Sequence, residues 1–111
     1  MVVACEFPFR SIGSIDFDAH HGDGTDNIIR RLDLKNIVHY SQGRYTNPEP
    51  ERFLRGIEYM IATMFGKCDL VLYQAGADAH IDDPLGAGFI RTEQLFERDR
   101  KVFSTLRGLK I

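Results

Sequence analysis

The sequence predicts an α/β protein built on an open parallel sheet, and three observations carry that prediction. Three short apolar runs read as buried strands. Amphipathic segments at helical spacing separate them, giving the order β-α-β-α-β-α. The third run, DLVLYQAG, is nearly continuous in apolar residues, as suits a strand covered on both faces of a parallel sheet.

The first strand is expected over residues 12–19, from Ile12 to Ala19, the second over Asn36 to Ser41 and the third over Asp69 to Ala75. After the first strand, Thr25 or Asp26 can cap a short helix that turns Ile28, Ile29 and Leu32 inward. The strongest helical pattern follows Asn47-Pro48-Glu49-Pro50. There Phe53, Leu54, Ile57, Ile61, Met64 and Phe65 recur at helical spacing and Gly66 supplies a stop. A last helix begins near Thr92, places Leu95, Phe96, Val102, Phe103 and Leu106 inward, and ends at Gly108. Crossovers between parallel strands are right-handed, and ligands in such sheets bind at the carboxyl ends of the strands. The two long connections, 42–50 and 80–91, both leave strand ends.

At 111 residues the chain is one domain at most, with a small core. Its 43% apolar and 27% charged content is that of an ordinary soluble globular protein. A net charge of −2 with interspersed signs argues against a nucleic-acid or anionic-membrane partner. No apolar run is long enough to span a bilayer, and Glu6 and Pro8 interrupt the apolar N-terminus too early for a signal sequence. Cys5 and Cys68 stand alone, with no CxxC, and read as reduced thiols in a cytoplasmic protein.

The chemistry concentrates at two strand ends. In SIDFDAHHGDGT, Asp16, Asp18 and His20 alternate with Ile15, Phe17 and Ala19, so an extended chain puts all three polar groups on one face. Unpaired charge gathered there is costly, and a bound cation is the simplest compensation. Gly22 and Gly24 let the backbone turn away from the tip. The third strand ends in YQAGADAHIDDPLG, with Asp78 just past Gly76. If the two strands are neighbours, Asp78 meets Asp18 and His20. Two carboxylates and a neutral imidazole balance a divalent cation, and three protein ligands leave a position free, as in catalytic zinc sites. A lone DxDxH is more often a pair of surface carboxylates. Two such motifs at successive strand ends reverse that reading.

SIDFDAHHGDGT resembles the D-x-D-x-H-H-G-x-G-T segment of the histone deacetylase and acetylpolyamine amidohydrolase superfamily, and QAGADAHIDDPLG resembles its later D-P-L-G segment. The resemblance covers about residues 13–111, and HYSQGRY is closer to bacterial-type members than to animal histone deacetylases. It implies a three-layer αβα fold with part of the parallel sheet of the arginase-deacetylase type. It implies that Asp18, His20 and Asp78 are ligands of zinc, or of iron(II), and that Asp16 supports a neighbouring potassium ion. His21 packs or hydrogen-bonds behind the ligands, and Asp83, Pro84 and Leu85 shape the mouth of an acyl-lysine or acyl-amine channel. His80 repeats the spacing of His20, but the family uses only the aspartate of that triplet. His39 reads as a satisfied histidine near the cation site, and Tyr40, Tyr45 and Tyr73 as packing residues or channel walls. PLGAG departs mildly from the commoner PLGG.

In this family the metal polarises an amide carbonyl and activates water, an upstream histidine pair serves as base and acid, and a downstream tyrosine stabilises the oxyanion. Nothing before Ile12 resembles the histidine pair, and no glycine-rich segment carrying the tyrosine follows Gly108. Catalytic residues are therefore assigned to none of the positions, and the expectation is metal binding with little activity alone. The competing readings are an active hydrolase assembled from several chains and a non-enzymatic α/β binding module. A three-strand section of a larger sheet leaves an edge and apolar faces bare, so a homo-oligomer or a complementary subunit is expected to cover them.

Overall fold

The computed structural model of the chain describes residues 6–7, 10–44 and 49–111. Cys5, Tyr45, Asn47 and Pro48 lie outside the described residues. Strands and helices alternate as β1 (Ile12–Asp16), α1 (Asp23–Arg31), β2 (Ile37–Ser41), α2 (Pro50–Phe65), β3 (Leu70–Gln74) and α3 (Thr92–Gly108). Short 3-10 turns follow two strands, at Gln42–Arg44 and Ala77–Ala79. The three strands form one parallel sheet in the order β2-β1-β3, with Ile15 level with Tyr40 and Tyr73, and Asp16 level with Ser41 and Gln74. The fold is α/β, a three-strand parallel sheet flanked by helices. The strand that carries the DxDxH motif is the central one, which sets its tip between two neighbours.

The core fills one face of the sheet. Ile15 from β1 and Phe17 just past its end meet Leu54, Ile57, Ile61 and Phe65 from α2 and Val102 and Leu106 from α3. The α2 residues recur at three- and four-residue steps, so they form one stripe. Pro50 opens that helix at a position where a missing N–H costs nothing. Phe17 lies edge-on to Tyr40, Phe53 and Tyr73, with centroids 5.1–5.9 Å away. Truncating any one of the fully buried α2 residues is worth about 2–5 kcal/mol by transfer and cavity terms. Cys68 is buried beside this cluster as a free thiol, and burial pushes its pKa up.

Several sequence expectations are corrected here. The regular part of β1 ends at Asp16, three residues short of Ala19, because the chain bends at Asp18, Ala19 and His20. β3 is not covered on both faces. It is an edge strand of this sheet, and Leu70 and Leu72 point to the side opposite the core, 42% and 38% exposed. α1 starts at Asp23, with Gly22 before it and no side-chain cap, so neither Thr25 nor Asp26 caps it. That helix sits on the second face over β2 and reaches it through polar contacts, which leaves Ile28 and Leu32 exposed. Met64 on α2 is exposed as well.

On α3 the inward stripe is Gln94, Arg98, Val102 and Leu106, one residue per turn. Phe96 and Phe103, expected inside, are 72% and 61% exposed. The helix is rotated because Arg98 takes an inward position and bonds the strand ends. Phe103 keeps only an edge contact with the Tyr73 ring.

Candidate metal centre

Past Asp16 the chain stops being a strand and winds through its own side chains. The Asp18 N–H donates to Asp16 Oδ1 at 3.2 Å, and the His20 N–H donates to Asp18 Oδ1 at 2.7 Å. These are aspartate turns, in which a short carboxylate caps the backbone two residues on. They curl Asp18 and His20 over the tip of β1. The turn after β3 brings up Asp78, whose Oδ1 accepts the Ala19 N–H at 3.1 Å and whose Oδ2 lies 2.6 Å from His20 Nδ1.

Asp18, His20 and Asp78 thus come together, each with one ligand atom within 4.8 Å of the others. Gly76 makes this possible. A Cβ there would sit 2.1 Å from Asp18 Cβ and 2.9 Å from Asp78 Oδ1. Its backbone (φ −58°, ψ 133°) suits any residue, so the reason for glycine is close approach.

The electrostatics fit a cation. The carboxylates of Asp18 and Asp78 meet from the ends of two neighbouring strands, and among the described residues neither is paired with a lysine or arginine. Burial pushes the Asp16 carboxyl above the usual carboxylate range. The charges of Asp18 and Asp78 add to that shift, while the Asp18 N–H and His39 oppose it. Two carboxylates and one imidazole match the charge and donor preference of a divalent ion. Tetrahedral bonds of about 2.0 Å put ligand atoms roughly 3.3 Å apart, a spacing that small side-chain shifts reach from the observed arrangement. His20 is half-exposed, so the site is open to solvent on that side.

Asp16 itself stands apart from the three. It is buried on the second face of the sheet, beside Gly22 and His39. His21 Nε2 and His39 Nδ1 lie 2.8 and 2.7 Å from the two oxygens of Asp26. His39 is only half satisfied, since its buried Nε2 has no hydrogen-bond partner among the described residues. An open cleft of about 460 Å³ runs beside these groups, lined by Ser14, Asp16, Asp18, Thr25, Leu72 and Gln74 with Tyr73.

His80 points elsewhere. Its Nδ1 accepts the Asp82 N–H at 3.0 Å, which leaves Nε2 to donate to Thr92 Oγ1 at 2.9 Å. Asp83 closes a tight turn by accepting the Leu85 N–H, and Pro84 and Leu85 sit exposed on it. Tyr40 donates to Gln42 Oε1 and Tyr73 to Asp99 Oδ1, so both hydroxyls are engaged internally. Burial and the Asp99 carboxylate hold the Tyr73 phenol well above its ordinary range.

Arg98 is the residue that sequence reasoning missed. It is 1% exposed, and its Nη1 donates to the carbonyls of Phe17 at 3.1 Å and Gly76 at 2.9 Å. Its Nε donates to Asp99 Oδ1 at 2.7 Å. The available signal was its register, one turn before Val102 in the inward stripe.

No family model matches the chain. It is 31% identical over 117 aligned positions to Histone deacetylase 2 of Arabidopsis thaliana, an alignment covering 87% of this chain and 30% of that protein. It is 28% identical over 108 positions to an uncharacterized protein of Picosynechococcus sp., covering 82% of this chain and 36% of the relative. The chain spans about a third of the length of the curated relatives it matches, and over that third it is a partial homologue of a histone deacetylase.

Proposed function

We propose that Asp18, His20 and Asp78 hold a divalent cation, zinc or iron(II), and that the chain is the metal-binding segment of a deacetylase-type amidohydrolase. The observation that carries this reading is the convergence of those three donors, from the tips of two paired parallel strands, in a tight group in which, among the described residues, no lysine or arginine is paired to either carboxylate. The similarity to a protein named as a histone deacetylase supports a deacetylase-type reaction. When bound, the cation supplies Lewis acidity toward an amide carbonyl.

The chain's own residues divide the remaining work. Asp18 orients His20 by accepting its backbone N–H. Asp16 supports a potassium ion beside the site, and His21 braces the turn through Asp26. The exposed turn of Asp83, Pro84 and Leu85 forms part of the acyl-channel mouth. The histidine pair and tyrosine that hydrolysis needs in this family match no segment of these 111 residues. The chain by itself therefore binds metal and turns over acyl-lysine or acyl-amine substrates at close to background rate.

The test is elemental analysis of the purified chain after zinc loading, with an acetyl-lysine and acetylpolyamine hydrolysis assay. Stoichiometric metal that Asp78→Ala abolishes is expected. A folded sample that takes up no metal refutes the site, and turnover removed by Asp78→Ala but untouched by chelator refutes the metal mechanism.

A further inference from the structure

We propose that Arg98 is a positioning residue of the metal centre, holding the two peptide segments that carry its ligands at their working separation. The inference rests on the metal-binding reading above.

The sheet stops just short of the site. The last ladder bond between β1 and β3 runs from the Phe17 N–H to the Gln74 carbonyl at 3.0 Å. Beyond it, among the described residues, no backbone-to-backbone bond joins the segments leading to Asp18 and Asp78, and the Ala19 N–H donates instead to the Asp78 side chain. The Arg98 guanidinium takes over there. One nitrogen, Nη1, bridges the carbonyl of Phe17, which is amide-bonded to Asp18, and the carbonyl of Gly76, two residues before Asp78. A single planar donor group from α3 thus spans both strand ends from beneath, while the ligands occupy the top.

Arg98 pairs two strand-end carbonyls, and the same two bonds fix their separation. The same stripe of α3 continues as the apolar Val102 and Leu106, so an apolar side chain at 98 would fill the space. What an apolar side chain cannot do is hold two carbonyls at a set distance. The guanidinium fork does so with little freedom, and an ammonium does so less rigidly. Arg98 is itself fixed: Asp99 Oδ1 accepts from Arg98 Nε and from the Tyr73 hydroxyl at 2.7 and 2.6 Å. The Tyr73 ring lies 6.0 Å from the guanidinium carbon. Asp99 also neutralises the charge, so the group acts through geometry without repelling a cation.

The experiment compares cobalt(II) and zinc binding to the full chain with Arg98→Met, Arg98→Lys, Asp99→Asn and, as a stability control, Val102→Ala. Loss of an outer support of a metal site weakens binding by roughly 10–100-fold. Arg98→Met is expected to lose metal affinity in that range and to change the visible cobalt spectrum. Arg98→Lys restores part of the affinity, and Asp99→Asn falls between. Val102→Ala, which lowers the melting temperature from the same helix, keeps wild-type affinity and spectrum. If Arg98→Met does not fold, Arg98→Lys and Asp99→Asn carry the comparison against Val102→Ala. Wild-type affinity and spectrum in the folded Arg98 or Asp99 variants overturn the inference alone. So does an equal loss in Val102→Ala. A wild-type chain that binds neither metal overturns the metal reading and the inference with it.

Discussion

Gly76→Ala tests the site with the smallest possible change. The added methyl falls 2.1 Å from Asp18 Cβ, 3.0 Å from Asp18 Cα and 2.9 Å from Asp78 Oδ1. Carbon–carbon contact is ordinarily about 3.5–4.0 Å, so the β1 and β3 tips must separate by more than an ångström. Neither obstacle is the loose end of a long side chain, so the strain falls on the backbone. The φ and ψ of Gly76 are open to alanine, so no conformational penalty confuses the result. Overpacking of this kind costs about 1–3 kcal/mol, and a constellation held to roughly 0.5 Å tolerates no such displacement. Zinc affinity, read by competition with a chromophoric chelator, is expected to fall about 10–100-fold, alongside a lower melting temperature by circular dichroism. Gly56→Ala supplies the control. Gly56 lies mid-helix in α2 with no atom within 4 Å of an added Cβ. There alanine is worth about 0.8–1.0 kcal/mol of helix propensity, so stability rises and metal binding is unchanged. A Gly76→Ala chain as stable and as tightly metal-binding as wild type refutes the reasoning.

Three other outcomes follow from the same geometry. His80→Gln leaves metal content intact, since both ring nitrogens are committed to Asp82 and Thr92; loss of stoichiometric metal contradicts the assignment. Cys68 has its thiol pKa raised by burial, so the folded chain holds that proton more tightly than the unfolded one. Its contribution to stability is full below the unfolded thiol pKa, about 8.5, and is lost as pH rises through the folded value. Denaturant melts of wild type and Cys68→Ala from pH 7 to 10 are expected to show the wild type losing stability more steeply, and parallel curves refute it. The bare edge of β3 with Leu70 and Leu72 exposed supports self-association at micromolar concentration. Sedimentation is expected to show it, and Leu72→Lys to reduce it. A well-folded wild-type monomer at that concentration contradicts the expectation.

How much of this was legible in the sequence differs from residue to residue. The α/β order and the parallel sheet follow from apolar periodicity, and the candidate donors from Asp18, His20 and Asp78 lying beside glycines at strand ends; that the two motif-bearing strands pair is a condition the sequence leaves open and the fold meets. Those features are local: a side chain's alternation along a strand or its step along a helix is set by covalent geometry. Other features depend on which atoms meet across the fold. DLVLYQAG reads as covered on both faces, yet β3 became an edge, because burial depends on neighbours that composition does not supply. Phe96 and Phe103 read as core, yet Arg98 took the inward register, because two strand-end carbonyls needed a donor and only the folded chain presents them together. His80 copies the spacing of His20, and only its contacts with Asp82 and Thr92 show its nitrogens to be engaged. The sequence alone thus determined the candidate donor residues and the strand tips that carry them. The tertiary structure decided how closely Asp18, His20 and Asp78 approach, because that closeness needs the space that glycine at 76 leaves beside Asp18 and Asp78, and only the folded chain brings those atoms together.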